Sequence, residues 1–165
     1  MKIGIFYTTI HESTKKSCET LASKTNADIR LIPIENAKSE CILKYNFIIL
    51  AGSAINGKVQ NKLKLYISQN LKNLKEKPLG LVLNCEDDVD RFNKTFTEEI
   101  VNSSKIKSNF GYELNPDEGN YIEKRKINKL ISQYKKNNRE LPSLNHDEIN
   151  KFADYINTMI EKRID

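Results

Sequence analysis

The chain has 165 residues, 30% of them charged, with 27 basic against 22 acidic residues, a formal charge of +5 and a pI near 9.0. That length suits one domain with a real core, and the excess of positive charge suits acidic partners or an anionic surface. Basic and acidic residues are mixed and no basic tail exists, which speaks against a nucleic-acid module. Three distant cysteines (Cys18, Cys41, Cys85) and two histidines (His11, His146) exclude a disulfide framework, a zinc knuckle and a histidine-rich metal site. No apolar run reaches the ~18 residues of a membrane span, and no cleavable apolar segment precedes the first strand, so a cytoplasmic protein is expected.

The first strand is read from Ile3, Ile5 and Tyr7, alternating with Lys2, Gly4 and Phe6, and it stops at Thr8-Thr9. From Thr14 the periodicity turns helical, with Cys18, Leu21 and Ala22 at steps of three and four. Between strand and helix lie the hydroxyls of Thr8, Thr9, Ser13 and Thr14, followed by Lys15 and Lys16. Two readings of this loop stand. A strand feeding a helix aims free N–H groups and the positive end of the helix dipole at one point, which suits a phosphate. Alternatively, it is an ordinary turn in which Ser13 or Thr14 caps the helix.

Ala27–Ile34 reads as a second strand whose Pro33 places its end near a sheet edge. Glu35–Tyr45 is short and polar, a poor helix. Phe47–Leu50 is the most apolar run, a central strand opening into the small-residue loop Gly52-Ser53-Ala54-Ile55-Asn56-Gly57. A helix over Lys58–Leu74 carries Val59, Leu63, Ile67, Leu71 and Leu74 on one face. Pro78–Asn84 is a fourth, buried strand leading into Cys85, Glu86, Asp87 and Asp88. One helix through Phe92, Phe96, Ile100 and Val101 follows, and then a polar edge strand over Lys105–Phe110. Alternation of this kind predicts a doubly wound α/β domain with a five-stranded parallel sheet in the order 2-1-3-4-5, helices on both faces, and a ligand crevice beside strands one and three.

Residues 116–142 form a basic insertion after strand five. Ile127, Leu130, Ile131 and Tyr134 fall on one face of a helix over Tyr121–Lys136, and no acidic residue lies between Lys124 and Arg139. Such a helix is expected to make weak contact with an anionic membrane through Lys124, Arg125, Lys126 and Lys129. The last helix starts near His146 behind an Asn145 cap, with Ile149, Phe152, Ala153, Ile156 and Ile160 facing inward.

These stretches together resemble the flavodoxin-like family, closest to the flavodoxin-type menaquinone-dependent protoporphyrinogen oxidases and their uncharacterised relatives. The resemblance runs over nearly the whole chain. It rests on Tyr7-Thr8-Thr9 through Ser13-Thr14-Lys15-Lys16, on Gly52 to Gly57, on Lys77-Pro78, on Phe92 to Phe96, on Gly111, on the basic insertion, and on Asn145 to Ile156. It implies flavin mononucleotide (FMN) as cofactor. The first loop, Thr9, Ile10, His11, Glu12, Ser13 and Thr14, would wrap the phosphate. Ser53, Ala54, Ile55, Asn56 and Gly57 would lie along one side of the isoalloxazine ring, and Asn84, Cys85 and Glu86 along the other. Family loops carry glycine where this chain has Glu12, and an aromatic ring where it has Ile55-Asn56.

Three functions follow from the resemblance. The first is an FMN-binding electron carrier serving a redox partner protein. The second is an oxidase-like enzyme on protoporphyrinogen with a quinone acceptor at the membrane surface, and the third a flavin-free binding module of the same fold. No serine or cysteine is arranged with a histidine and a carboxylate for nucleophilic catalysis, so no catalytic residue is singled out.

Overall fold

A computed structural model describes residues 1–9, 12–39, 41–55, 58–59, 61–86, 91–117 and 120–162. Strands β1 (Lys2–Tyr7), β2 (Asp28–Pro33), β3 (Phe47–Ile55), β5 (Leu79–Cys85) and β6 (Ser104–Asn109) run parallel in the order β2-β1-β3-β5-β6. The two-residue β4 (Lys58–Val59) pairs antiparallel with β3. The five long strands, counted along the chain, therefore stand in the expected order 2-1-3-4-5. Every residue of β5 is buried, whereas the edge strands β2 and β6 alternate with solvent. Apolar runs and alternating runs thus sort themselves into centre and edge.

Helices α1 (Ser13–Ser23) and α6 (His146–Glu161) cover one face of the sheet, where Cys18, Leu21, Ile149, Phe152 and Ile156 pack on Ile3, Ile5, Ile49 and Val82. On the other face α2 (Asn61–Lys75) sets Leu63, Ile67 and Leu74 against Phe6, Ile48, Leu50 and Leu81. The Asn145 side chain accepts from the Glu148 amide, which makes it the expected N-cap of α6.

Three local expectations are corrected. β3 does not open into a loop at Ser53 but continues to Ile55, because Ala54 and Ile55 pair with Val59 and Lys58 of β4. That return strand takes Lys58 and Val59 out of the helix, so α2 begins at Asn61. The single helix expected after strand four is two short ones, α3 (Arg91–Thr95) and α4 (Glu98–Ser103). Thr97, extended at φ −70 and ψ 148, breaks them apart and accepts from the Ile100 amide as the cap of the second. The segment after β2 makes two 3-10 turns, Ile34–Ser39 and Ile42–Lys44.

The insertion forms the expected helix α5 (Tyr121–Lys136). Its apolar face is covered by this chain itself: Ile127 and Tyr134 are buried, and Leu130 and Ile131 partly so, against Tyr112 and Leu114 beyond β6. No helix of the described residues is long and apolar enough to cross a membrane.

Candidate functional site

The loop after β1 is built by a change of backbone direction. The Thr8 amide donates to the Ala51 carbonyl at 3.0 Å, carrying the β1–β3 pairing one residue past the strand. Glu12 then takes the left-handed conformation, φ 55 and ψ −6, and α1 starts at Ser13. A residue with a Cβ pays about 1–2 kcal/mol for that conformation, so this is where glycine would be at ease. The Glu12 carboxylate turns back to the Lys15 ammonium at 3.2 Å. Among the described residues no side chain caps α1, so neither Ser13 nor Thr14 plays the capping part open to it in the sequence.

Those hydroxyls do something else. Ser13 Oγ accepts from the Glu113 amide at 3.1 Å, and Lys16 Nζ pairs with Glu113 Oε1 at 2.7 Å. Both contacts tie the start of α1 to the segment after β6. Thr14 is fully buried, and its Oγ1, with Oγ1 of Thr8 and Thr9, has no hydrogen-bond partner among the described residues. An unpartnered buried hydroxyl costs about 1–3 kcal/mol, so three of them beside one helix start call for an acceptor. The first-turn N–H groups of α1 have no acceptor within a helix either, and the dipole there is positive. Hydroxyl donors, amide donors and positive potential together fit a phosphate.

The second and third candidate stretches lie at the carboxyl ends of β3 and β5. A Cβ on Gly52 would stand 2.6 Å from Leu63 Cδ2 and 3.8 Å from Thr8 Oγ1, so a larger residue there would have to displace the buried Leu63 side chain of α2. Ser53 and Ala54 are buried beside it. Ile10, His11, Asn56 and Gly57 lie outside the described residues, as do Asp87 and Asp88. Asn84, fully buried, engages both ends of its amide within the fold: Oδ1 accepts from Ser17 Oγ at 3.1 Å and Nδ2 donates to the Gly111 carbonyl at 2.7 Å. Cys85 is buried and its amide donates to Asn109 Oδ1 at 3.3 Å.

Glu86 is half-buried at the end of β5, and the Arg139 guanidinium donates to it. Arg139 also lies over the Tyr134 ring, 5.0 Å from its centroid. The Tyr134 hydroxyl bonds to Tyr112 at 2.8 Å; burial, followed by its hydrogen bonds to Glu86 and Tyr112, pushes its pKa up. A cavity of about 450 Å³ opens here between Cys85, Glu86 and Gly111 and the start of α6 at Asn145 and His146. A second, of about 250 Å³, runs between Glu86, Tyr112 and Tyr134 and the stretch Leu141–Ser143. A third cavity, of about 490 Å³, between Glu35, Lys62 and Tyr66, shares no lining residue with these loops.

The structure therefore sets Thr9, Glu12, Ser13 and Thr14 between β1 and the first turn of α1, Ser53 and Ala54 of β3 in register with Asn84 and Cys85 of β5, and Glu86 just past the end of β5. Asn84 serves as an internal clamp between α1, β5 and Gly111. Missed from sequence were Ser17, Glu113, Tyr112 and Arg139, whereas Thr8 was named there among the loop hydroxyls. For Ser17 a signal existed, since a serine one turn beyond Thr14 shares its face.

A family model described as "Flavodoxin domain" matches residues 4–140. Among solved structures, the chain is similar to a Fusobacterium nucleatum flavodoxin bound to flavin mononucleotide (17% identity, 82% of this chain and 98% of that one, TM-score 0.45). It is also similar to oxidised Flavodoxin 2 from Bacillus cereus (16%, 83% and 99%, TM-score 0.48). A Streptococcus pneumoniae TIGR4 flavodoxin aligns at 13% identity over 80% of this chain and 96% of that one, TM-score 0.47. No curated protein matches the chain.

Proposed function

This chain belongs to the flavodoxin domain family, and from that premise we propose that it binds FMN and carries electrons. The observation that carries this reading is the set of buried, unpartnered hydroxyls of Thr8, Thr9 and Thr14 at the start of α1. They and the first-turn amides would hold the phosphate. Ser53 and Ala54 from β3 would border one side of the ring, and Cys85 and Glu86 from β5 the other. When bound, the flavin supplies reversible uptake of electrons. The chain would supply a compensated charge, since Arg139 offsets the Glu86 carboxylate beside the ring position.

The protein is loaded with FMN, passed through gel filtration and reduced anaerobically. Flavin that co-elutes with the chain and reduces reversibly at a potential different from that of free FMN supports this function. Flavin that elutes free overturns it.

One observation favours a second reading, the oxidase-like enzyme with a quinone acceptor. The cavity of about 250 Å³ between Glu86, Tyr112, Tyr134 and Pro142 has two tyrosines in its lining and would lie next to the ring position. Reoxidation of the reduced, loaded protein by a soluble menaquinone analogue, lost on Tyr112→Ala, would support it.

A further inference from the structure

The positive charge of this molecule is gathered on one helix. Lys124, Arg125, Lys126, Lys129, Lys135, Lys136 and Arg139 are seven basic residues in a stretch with no acidic one; removing them from the 27 leaves 20 basic against 22 acidic in the rest of the chain. The net +5 therefore belongs to α5 and its C-terminal turn, on a body that is otherwise slightly negative.

The helix is held in a fixed pose. Its inner face is sealed on Tyr112 and Leu114, and the Tyr134–Tyr112 hydroxyl bond pins its last turn. Arg139, just beyond it, is anchored on Glu86 at the end of β5. On the outer face Arg125, Lys129 and Lys136 are exposed at steps of four and seven residues, which stacks them in one line opposite Ile127 and Tyr134. Tyr121 and Ile122, 80% and 64% exposed, stand at the start of the same helix.

We propose that the outer face of α5 is a docking surface for an acidic electron-transfer protein, seated beside the redox site at the carboxyl end of β5. The redox part of this inference rests on the flavin reading above; the docking part does not. A line of cations on a near-neutral body steers a negative partner and orients it, and exposed aromatic or aliphatic residues at the rim supply contact area. A protein partner is favoured over an anionic bilayer because the apolar stripe that would enter lipid is already covered by Tyr112 and Leu114. Only Tyr121 and Ile122 remain at the helix start, and the chain has no tryptophan.

The probe is a strongly acidic [2Fe–2S] ferredoxin, used in two arms. Binding of the full chain, with no flavin required, is measured by titration calorimetry at low and high salt. Electron transfer from the reduced ferredoxin to the FMN-loaded chain is measured by stopped flow. The variant is Arg125→Glu, Lys129→Glu, Lys136→Glu, with the corresponding triple glutamine change as a milder version that leaves folding undisturbed.

Docking predicts that ferredoxin affinity and the second-order rate fall roughly tenfold or more in the glutamate variant and less in the glutamine one, and that both fall with salt. If binding behaves so but no flavin is held, docking stands and the cofactor reading falls. Ferredoxin binding equal in all three proteins overturns docking. So does loss of co-sedimentation with phosphatidylserine vesicles in the glutamate variant while ferredoxin binding stays unchanged, which would assign the face to lipid.

Discussion

The Glu12 carboxylate lies 3.2 Å from the Lys15 ammonium, on a residue whose own backbone is held at φ 55. Both partners are nearly half exposed, so the pair itself contributes little stability. It does turn the carboxylate toward a cation at the mouth of the proposed phosphate cradle. Glu12→Gly is expected to relieve about 1 kcal/mol of left-handed strain, partly offset by the freer unfolded chain, and to tighten FMN binding. Glu12→Gln keeps the Cβ and removes the charge. A gain in affinity with glutamine equal to that with glycine would assign the effect to charge; no gain with either would remove Glu12 from the site.

Thr14→Val separates a ligand role from a structural one. The Thr14 hydroxyl has no partner among the described residues, so the valine variant should melt at the same or a slightly higher urea concentration without flavin. Its FMN affinity should drop by about 1.5–3 kcal/mol, the worth of a charge-assisted hydrogen bond. A variant that loses stability while keeping its affinity would make Thr14 a residue of the core.

Glu86 and Arg139 are expected to move the flavin potential in opposite directions. Glu86→Gln removes negative charge beside the ring and frees the guanidinium, which favours the anionic reduced flavin and raises the potential. Arg139→Gln leaves the carboxylate uncompensated and lowers it. Shifts on the order of tens of millivolts, shrinking with salt, are expected in spectroelectrochemical titration. Unchanged potentials in both variants would leave the pair a tether for the segment after α5.

Tyr66 stacks on Phe6 with ring centroids 5.5 Å apart, and its buried hydroxyl has no partner among the described residues. Burial, followed by Tyr45, raises its pKa. The folded phenol stays neutral where an unfolded tyrosine, with a pKa of about 10, ionises. Its contribution to stability is therefore complete below about pH 10 and is lost as the pH rises further. Tyr66→Phe should gain about 1 kcal/mol at pH 8 and reduce the alkaline loss. Urea melts at pH 8 and pH 10.5 check both; a less stable phenylalanine variant at pH 8 would mean that the hydroxyl is satisfied.

Strand order and the faces of α5 and α6 were legible in the sequence, because hydrophobic period is a local property and buried strands announce themselves by unbroken apolar runs. The end of β3 was not. Ser53 to Ile55 read as loop residues, and non-local pairing with Asn84 and Cys85 of β5 and with Lys58 and Val59 of β4 makes them a strand. The split between α3 and α4 turns on the single cap Thr97. In the site, Thr9 and Thr14 were legible from their place between a strand and a helix. The links Lys16–Glu113 and Glu86–Arg139 join residues 97 and 53 positions apart, which no local pattern carries. The inward stripe of α5 reads the same whether a helix lies on a bilayer or on its own core. Tyr112 and Leu114 are what cover it here.

The most direct measurement is a pair of dissociation constants, for FMN and for riboflavin, taken by flavin fluorescence on the protein stripped of any bound flavin. The two ligands share the ring and differ in the phosphate. If the hydroxyls of Thr8, Thr9 and Thr14 form a phosphate cradle, FMN binds at one site per chain and at least tenfold more tightly than riboflavin, a difference of about 1.4 kcal/mol or more. Equal affinities would contradict the phosphate cradle, and no uptake of either flavin would contradict the whole account and leave the fold as a flavin-free binding module.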